Sequence, residues 1–328
     1  MPAESAPAAA HAAERVYVSN EGSGTITILD ATTDSALAAI PVGTRPRGIR
    51  VSADGRTVFV ALSGSPRCPP TMPDEECDRL VADKSKDGVG VVDIATRRLV
   101  RVLPGGSDPE TFDVSRDGSR IFVSNEDVDS ATIVDVASGR VLRTVPVGRE
   151  PEGVRLHPEG REVWVTGETD HDVTVLDTDS GRTIARIPVG RRPRDLAFTS
   201  DGNLAYVTGE TGGSVSVVDA REHRVLRTIA LPEGSRPMGV VLSPDGGRLY
   251  VANGRGGTVS VIDTRTDSIV GSVDVGVRPW GIGITADGRK LYTANGPSGD
   301  VTVVDAGTLE VRKRVPTGEL PWGIAVSR

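Results

Sequence analysis

Hydrophobic positions along this chain fall into short runs of Val, Ile, Thr and aromatic residues, separated by Gly, Pro and Asp turns. The stretch Pro279–Leu320 shows the unit most completely. It holds β-type runs at Gly281–Thr285, Lys290–Ala294, Asp300–Asp305 and Leu309–Pro316. An Asp287-Gly288 turn follows the first run, the Gly-rich loop Asn295–Gly299 the second, and a polar turn the third. Four strands joined by tight turns predict an antiparallel meander, and such a unit repeating every 42 residues predicts a propeller blade. Runs such as Thr25–Leu29, Val215–Val218 and Val301–Val304 carry Val and Ile on both sides, as strands buried on both faces require.

Three landmarks agree on the number of copies. A loop proline recurs at Pro46, Pro109, Pro151, Pro193, Pro237, Pro279 and Pro321. An aspartate ends the third strand at Asp30, Asp93, Asp135, Asp177, Asp219, Asp263 and Asp305. An aromatic sits in each second strand, as Tyr17, Phe59, Phe122, Trp164, Tyr206, Tyr250 and Tyr292. The expected fold is therefore all-β, a seven-bladed propeller of four-stranded antiparallel blades spanning 14–328. The chain starts in a second strand (Arg15–Ser19) and finishes in a first strand (Gly323–Ser327), so these two must pair to close the ring. Closure leaves no open sheet edge between the ends.

The second-strand tetrapeptide reads Tyr17-Val-Ser-Asn20, Phe122-Val-Ser-Asn125, Trp164-Val-Thr-Gly167, Tyr206-Val-Thr-Gly209, Tyr250-Val-Ala-Asn253 and Tyr292-Thr-Ala-Asn295. The second copy, Phe59-Val-Ala-Leu62, departs from it where a long insertion begins. In these residues the chain resembles the YVTN-repeat β-propellers, over 14–328. It is most similar to exported bacterial members, including those associated with PQQ-dependent alcohol catabolism. That resemblance implies the propeller fold and a periplasmic or extracellular location.

Composition fits the repeat. Aromatics make up only 3% of the chain, and seven of these 11 are the second-strand residues, one per blade, while turns consume 39 Gly and 22 Pro. A net charge of −7 gives no general attraction to nucleic acid, and no apolar run is long enough for a membrane span. Residues 1–13 are Ala/Pro-rich and read as a disordered leader or the remnant of a cleaved signal, Ala10-His11-Ala12 having the small-x-small form of a cleavage site. The protein is expected to be a monomer.

Antiparallel strands alternate direction, which sorts the loops onto two faces. Asp-Gly turns (Asp54-Gly55, Asp117-Gly118, Asp201-Gly202, Asp245-Gly246, Asp287-Gly288) share one face with the turns between third and fourth strands. That face is expected to be plain. The loops between second and third strands, and those between blades, emerge opposite and carry the variation, so function is expected there. The inter-blade loops flank their prolines with Arg45/Arg47, Asp108/Glu110, Glu150/Glu152, Arg192/Arg194, Arg236/Met238, Arg278/Trp280 and Leu320/Trp322. These alternate as cationic, acidic and cationic sectors and end in an aromatic corner. The plain reading is that Arg and Glu of neighbouring blades pair. Trp280 and Trp322 either plug the channel or form a stacking wall for a planar anion beside Arg236 and Arg278. Arg45, Arg47, Glu110, Glu152, Arg194, Arg236, Arg278, Trp280 and Trp322 are thus the candidate ligand-binding residues.

The insertion lies at about 63–88 and holds both cysteines, Cys68 and Cys77. Their spacing matches no CxxC pair and no His accompanies them, so a local disulfide is expected, in keeping with an oxidising compartment. Asp74–Ala82 has the makings of a short helix, and the insert is either a lid over the channel mouth or a stapled surface excursion. Asp127/Asp129 and Asp170/Asp172 offer hard oxygen ligands, making a divalent cation such as calcium the candidate cofactor, although a solvated acidic rim is the plainer reading. Of the 4 histidines only His171 reaches the variable face, which excludes a multi-histidine metal site and gives no support to Ser-His-Asp chemistry. The function expected is capture of a small anionic or aromatic molecule, or of a protein partner, accessory to PQQ-dependent alcohol oxidation. The alternatives are a lyase or hydrolase using acid/base carboxylates such as Glu110/Glu152 and a divalent metal, or a scaffold, nucleic acid being the least expected partner.

Overall fold

A computed structural model describes residues 14–67, 72, 74–77 and 79–327, without the side chains of Asp74 and Cys77. The expected leader and the Cys68–Cys77 disulfide lie outside the described residues. Seven four-stranded antiparallel sheets form the molecule. Blade 1 is assembled from both ends of the ring: Pro321–Val326 pairs with Arg15–Asn20, followed by Thr25–Asp30 and Ser35–Pro41. Val16 faces Val326 and Tyr17 faces Ala325 across this seam. Blades 2 to 7 open with Ile49–Val51, Pro109–Val114, Pro151–Leu156, Pro193–Phe198, Pro237–Leu242 and Pro279–Ile284, and each runs outward in chain order. The first strands of neighbouring blades pack against one another around the axis.

Each landmark of the repeat has a physical task. The second-strand aromatic is buried where consecutive blades face each other, where each ring is worth about 1.5–3 kcal/mol. Trp164 of blade 4, for example, packs with Val173 and Val175 against Leu196, Ala205 and Val207 of blade 5. The hydroxyl in the third place of the tetrapeptide joins blades. Ser19 Oγ accepts from the Gly323 amide at 2.9 Å within its own blade and donates to the Arg47 carbonyl of the next at 2.5 Å. Ser124 donates likewise to the Glu152 carbonyl, and Thr208 to that of Met238, both at 2.7 Å. The third-strand aspartate closes the turn that follows it. Asp30 Oδ1 accepts from the amides of Thr32 and Thr33 at 2.8 and 3.0 Å, and Asp305 Oδ1 from Gly307 and Thr308, both at 2.9 Å.

The first strands begin earlier than their hydrophobic pattern implies. In blade 7, Pro279 pairs with Asn295 and Ile282 with Thr293, so Trp280 and Gly281 together oppose Ala294. Such a bulge sets two residues against one and bends the strand. It recurs after Pro109, Pro151, Pro193 and Pro237. In blade 2 Arg47 and Gly48 both bond to Ala61, but the first strand shrinks to Ile49–Val51 where Leu62 replaces the usual Asn or Gly. The helix expected over Asp74–Ala82 is confined to Asp74–Cys77, with a separate 3-10 turn at Lys84–Lys86. So short a segment has too few hydrogen bonds to propagate a helix. Among the described residues no helix is long and apolar enough to cross a membrane.

Candidate functional site

The residue before the loop proline takes a left-handed backbone in every blade: Arg45, Asp108, Glu150, Arg192, Arg236, Arg278 and Leu320 have φ of +42 to +58°. Together with the bulge that follows, this tight corner brings the residue after the proline to the channel wall. Along the axis lie three cavities. A mouth basin of about 640 Å³ on the variable face is bounded by Arg45, Arg47, Glu110, Glu152, Arg194, Arg278, Trp280 and Trp322, among others. Of the candidate ligand residues only Arg236 is absent from its walls. Below it is a waist of about 70 Å³. A third basin of about 650 Å³ opens on the opposite face, lined in part by Val114, Leu156, Phe198 and Leu242. The face expected to be plain therefore has a concavity as large as the mouth. Uniform turns surround it, but the inner strands diverge between them.

The cationic and acidic sectors interlock. Arg47, buried, sits against Glu110, lies 3.2 Å from Glu21 and 3.4 Å from Glu126, and approaches Asp108 at 3.9 Å. Arg194 contacts Glu152, lies 2.5 Å from Glu168 and 2.8 Å from Glu210. Arg45 pairs with Glu21 at 2.9 Å, and Arg192 with Glu168. Burial opposes the charge on Arg47 and Arg194, but the surrounding carboxylates outweigh it and hold both guanidiniums above their ordinary range. The carboxylates outnumber the cations, which shows in their protonation. Burial, then repulsion from Glu152, pushes Glu126 up to about 7 and Glu168 up to about 8.

The other half of the mouth is different. Among the described residues no carboxylate pairs with Arg278. Its guanidinium lies 5.2 Å from the centre of the Trp280 ring, within cation–π range. The Trp322 ring stands 6.4 Å from Trp280, inclined at 53°. Both indoles are half-buried and border the mouth above and the waist below. The insert stands on this same face. Arg67 reaches the mouth basin, and Arg45 Nη1 donates to the carbonyls of Ser65 and Pro66 at 2.8 and 3.1 Å.

The carboxylates considered for calcium are engaged elsewhere. Asp127 pairs with Lys84, Asp170 with Arg149 at 2.6 Å, and Asp172 with Arg186 at 3.3 Å. Asp129 accepts from the Glu150 amide at 3.0 Å. Oxygens of Glu110, Glu126 and Glu152 do converge within 4.8 Å of one another, beside Arg47.

A second charged set, inside the first strands, was not anticipated from the sequence. Arg50 lies 3.5 Å from Asp113, and Arg155 lies 2.9 Å from Asp195. Each aspartate also bridges two inner strands. Asp113 accepts from the amides of Val114 and Leu156 at 3.0 and 2.8 Å, and Asp195 from those of Leu196 and Val240 at 2.8 and 3.4 Å. Burial raises Asp195 to about 6, against the influence of Arg50 and its amide donors. The signal was available: Asp195 stands two places after its proline, where five other copies have Gly48, Gly153, Gly239, Gly281 and Gly323.

Known proteins place this geometry in context. A family described as YNCE-like beta-propeller matches residues 72–160, and one described as Cytochrome D1 heme domain matches residues 199–328. Among curated proteins, none matches the sequence. Similar solved structures include a protein of Desulfotomaculum acetoxidans described as functionally unknown, at 17% identity and a TM-score of 0.79, covering 96% of this chain and 99% of that one. A putative 6-phosphogluconolactonase from Bacteroides fragilis is 18% identical, with a TM-score of 0.78 and coverage of 98% and 100%. Kuenenia stuttgartiensis hydrazine synthase is 22% identical, with a TM-score of 0.73 and coverage of 85% and 89%. At these identities the structures share the fold alone. The haem named by the second family finds poor support in this channel. Haem iron is held by His, Cys, Met or Tyr, and the described residues that border the mouth and waist include no imidazole, thiol or phenol, Met238 being the one soft donor among them. Repeat, ring and family matches agree that the chain is a seven-bladed β-propeller, similar over residues 72–160 to the YNCE-like beta-propeller family.

Proposed function

We propose that this propeller is an exported binding protein whose variable-face mouth captures a small planar anion, in a role accessory to PQQ-dependent alcohol oxidation. The observation that carries this reading is Arg278 stacked on Trp280, with no carboxylate among the described residues neutralising it and Trp322 facing the same basin. Arg47 and Arg194 are saturated by Glu and Asp, so they hold the ring rather than the ligand. An aromatic acid satisfies both parts of the free half: its ring stacks on indole and its carboxylate meets the guanidinium. Export rests on the family resemblance.

Titration with aromatic acids and quinones, PQQ among them, is expected to quench tryptophan fluorescence saturably. Trp280→Ala, Trp322→Ala and Arg278→Ala should each weaken binding by tenfold or more. Flat titrations with every compound would count against this reading.

Glu126 and Glu168, held partly protonated beside the basin, favour a second reading as a lyase or hydrolase. The likeness to a putative 6-phosphogluconolactonase makes lactones the first substrates to test. Turnover abolished in Glu168→Gln, in protein that melts like the wild type, would favour it over simple capture.

A further inference from the structure

Between the two basins the channel narrows to the waist, where Arg50 meets Arg155, Arg194, Asp195 and the lower edges of Trp280 and Trp322. Most of the charge at this level is already committed. Arg155 is held by Asp195 at 2.9 Å, and Arg194 by Glu152, Glu168 and Glu210. Asp113 and Asp195 turn oxygens toward backbone amides of neighbouring strands. Arg50 is the exception. Its Nη1 donates to the Ile49 carbonyl at 2.8 Å and its Nε lies 3.5 Å from Asp113, but its Nη2 is buried with no acceptor among the described residues.

A buried donor without a partner is uncommon in folded proteins, and one on a guanidinium most of all, because its fork is shaped for a planar oxyanion. The cavity beside it has room for several waters or one small ion, since a single water needs only about 10–15 Å³ of the same measure. Ile49, Ile282, Ile324 and the two indoles supply apolar walls, while Gly239, Gly281 and Gly323 let the inner strands of neighbouring blades approach closely. At Gly281 a Cβ would stand 2.5 Å from the Trp322 carbonyl oxygen, so this wall tolerates no side chain.

We propose that the waist is a binding site for a small planar carboxylate, held by the free edge of Arg50 and roofed by Trp280 and Trp322. This site is separate from the capture of aromatic acids at the mouth, because it needs neither Arg278 nor a stacking ring.

The test is a titration of the full-length protein with ¹³C-formate and, separately, acetate, followed by ligand-observed NMR and calorimetry. One saturable site per chain is expected for at least one of the two. Arg50→Gln should lower its affinity at least tenfold, while Arg278→Ala leaves it within twofold and weakens only the mouth. If Arg50→Gln does not fold, Ile282→Phe provides the reading: it fills the waist from its apolar wall without touching a charge, and should abolish binding. No saturable binding of either anion to the wild type would mean that water alone fills the waist, and would overturn the proposal. Wild-type affinity in folded Arg50→Gln, or in Ile282→Phe where it is the reading variant, would overturn it as well.

Discussion

The hydroxyl of Thr208 donates to the carbonyl of Met238 at 2.7 Å while accepting from the Asp195 amide at 3.0 Å. One buried side chain thus ties the second strand of blade 5 to its own first strand and to that of blade 6. Thr208→Val keeps the volume but leaves a donor and an acceptor unpaired. We expect a loss of about 1–3 kcal/mol, read from the urea midpoint at constant slope. An unchanged midpoint would remove the hydroxyl from the account of how blades are held together.

Protonation should set a stability optimum on the acid side of neutrality. Glu126, Glu168 and Asp195 are raised in the folded state, to about 7, 8 and 6. Between the unfolded carboxylate range, about 4, and those values the native protein binds more protons than the unfolded chain, so stability falls as pH rises through about 6 to 8. The turn aspartates Asp263 and Asp305 are lowered to about 2 by hydrogen bonds and their Arg partners, and their contribution is lost as pH falls below about 4. Melting temperature measured from pH 3 to 9 should peak near pH 5. A melting temperature that climbs from pH 6 to 8 would contradict the assignment of Glu126 and Glu168.

The ring was legible in the sequence because its determinants are local and repeated. Pro279, Asp305 and Tyr292 each act within one blade or on its immediate neighbour, so their period survives in the chain as written. The seam between Arg15–Asn20 and Pro321–Val326 followed from counting strands. The site was legible only in part, because its geometry joins residues from different copies. The pairing of Arg47 with Glu110, and of Arg194 with Glu152, depends on how far each side chain reaches across the channel. Arg50, Asp113, Arg155 and Asp195 were passed over because they interrupt strands otherwise read as apolar wall. Arg236 shares its loop position with Arg278 but does not border the mouth.

Removing Pro321–Arg328 strips the innermost strand from blade 1 and uncovers Val16 and Val18. Loss of the buried Ile324 alone forfeits about 1.5–3 kcal/mol of apolar burial. The truncated protein should melt well below the full-length one and bind a hydrophobic dye. Coincident melting curves would show that the seam contributes nothing.

Leu320 precedes its proline with φ of +52°. A left-handed backbone costs a side-chain-bearing residue about 1–2 kcal/mol, and a β-branched one more. Leu320→Val should therefore destabilise by about 1–2 kcal/mol, whereas Leu320→Gly should be neutral or slightly stabilising. Equal effects of the two in thermal melts would argue that the corner is set by other contacts.

The seam in blade 1 also orders events in time. A ribosome delivers Arg15–Asn20 before the other six blades and its partner Pro321–Val326 after them, so this sheet cannot be completed until those six blades have been made. Until then the inner flank of Arg15–Asn20 offers unmet amides and carbonyls to any passing strand. The nascent chain is therefore most vulnerable to mispairing at the place where the finished molecule is joined.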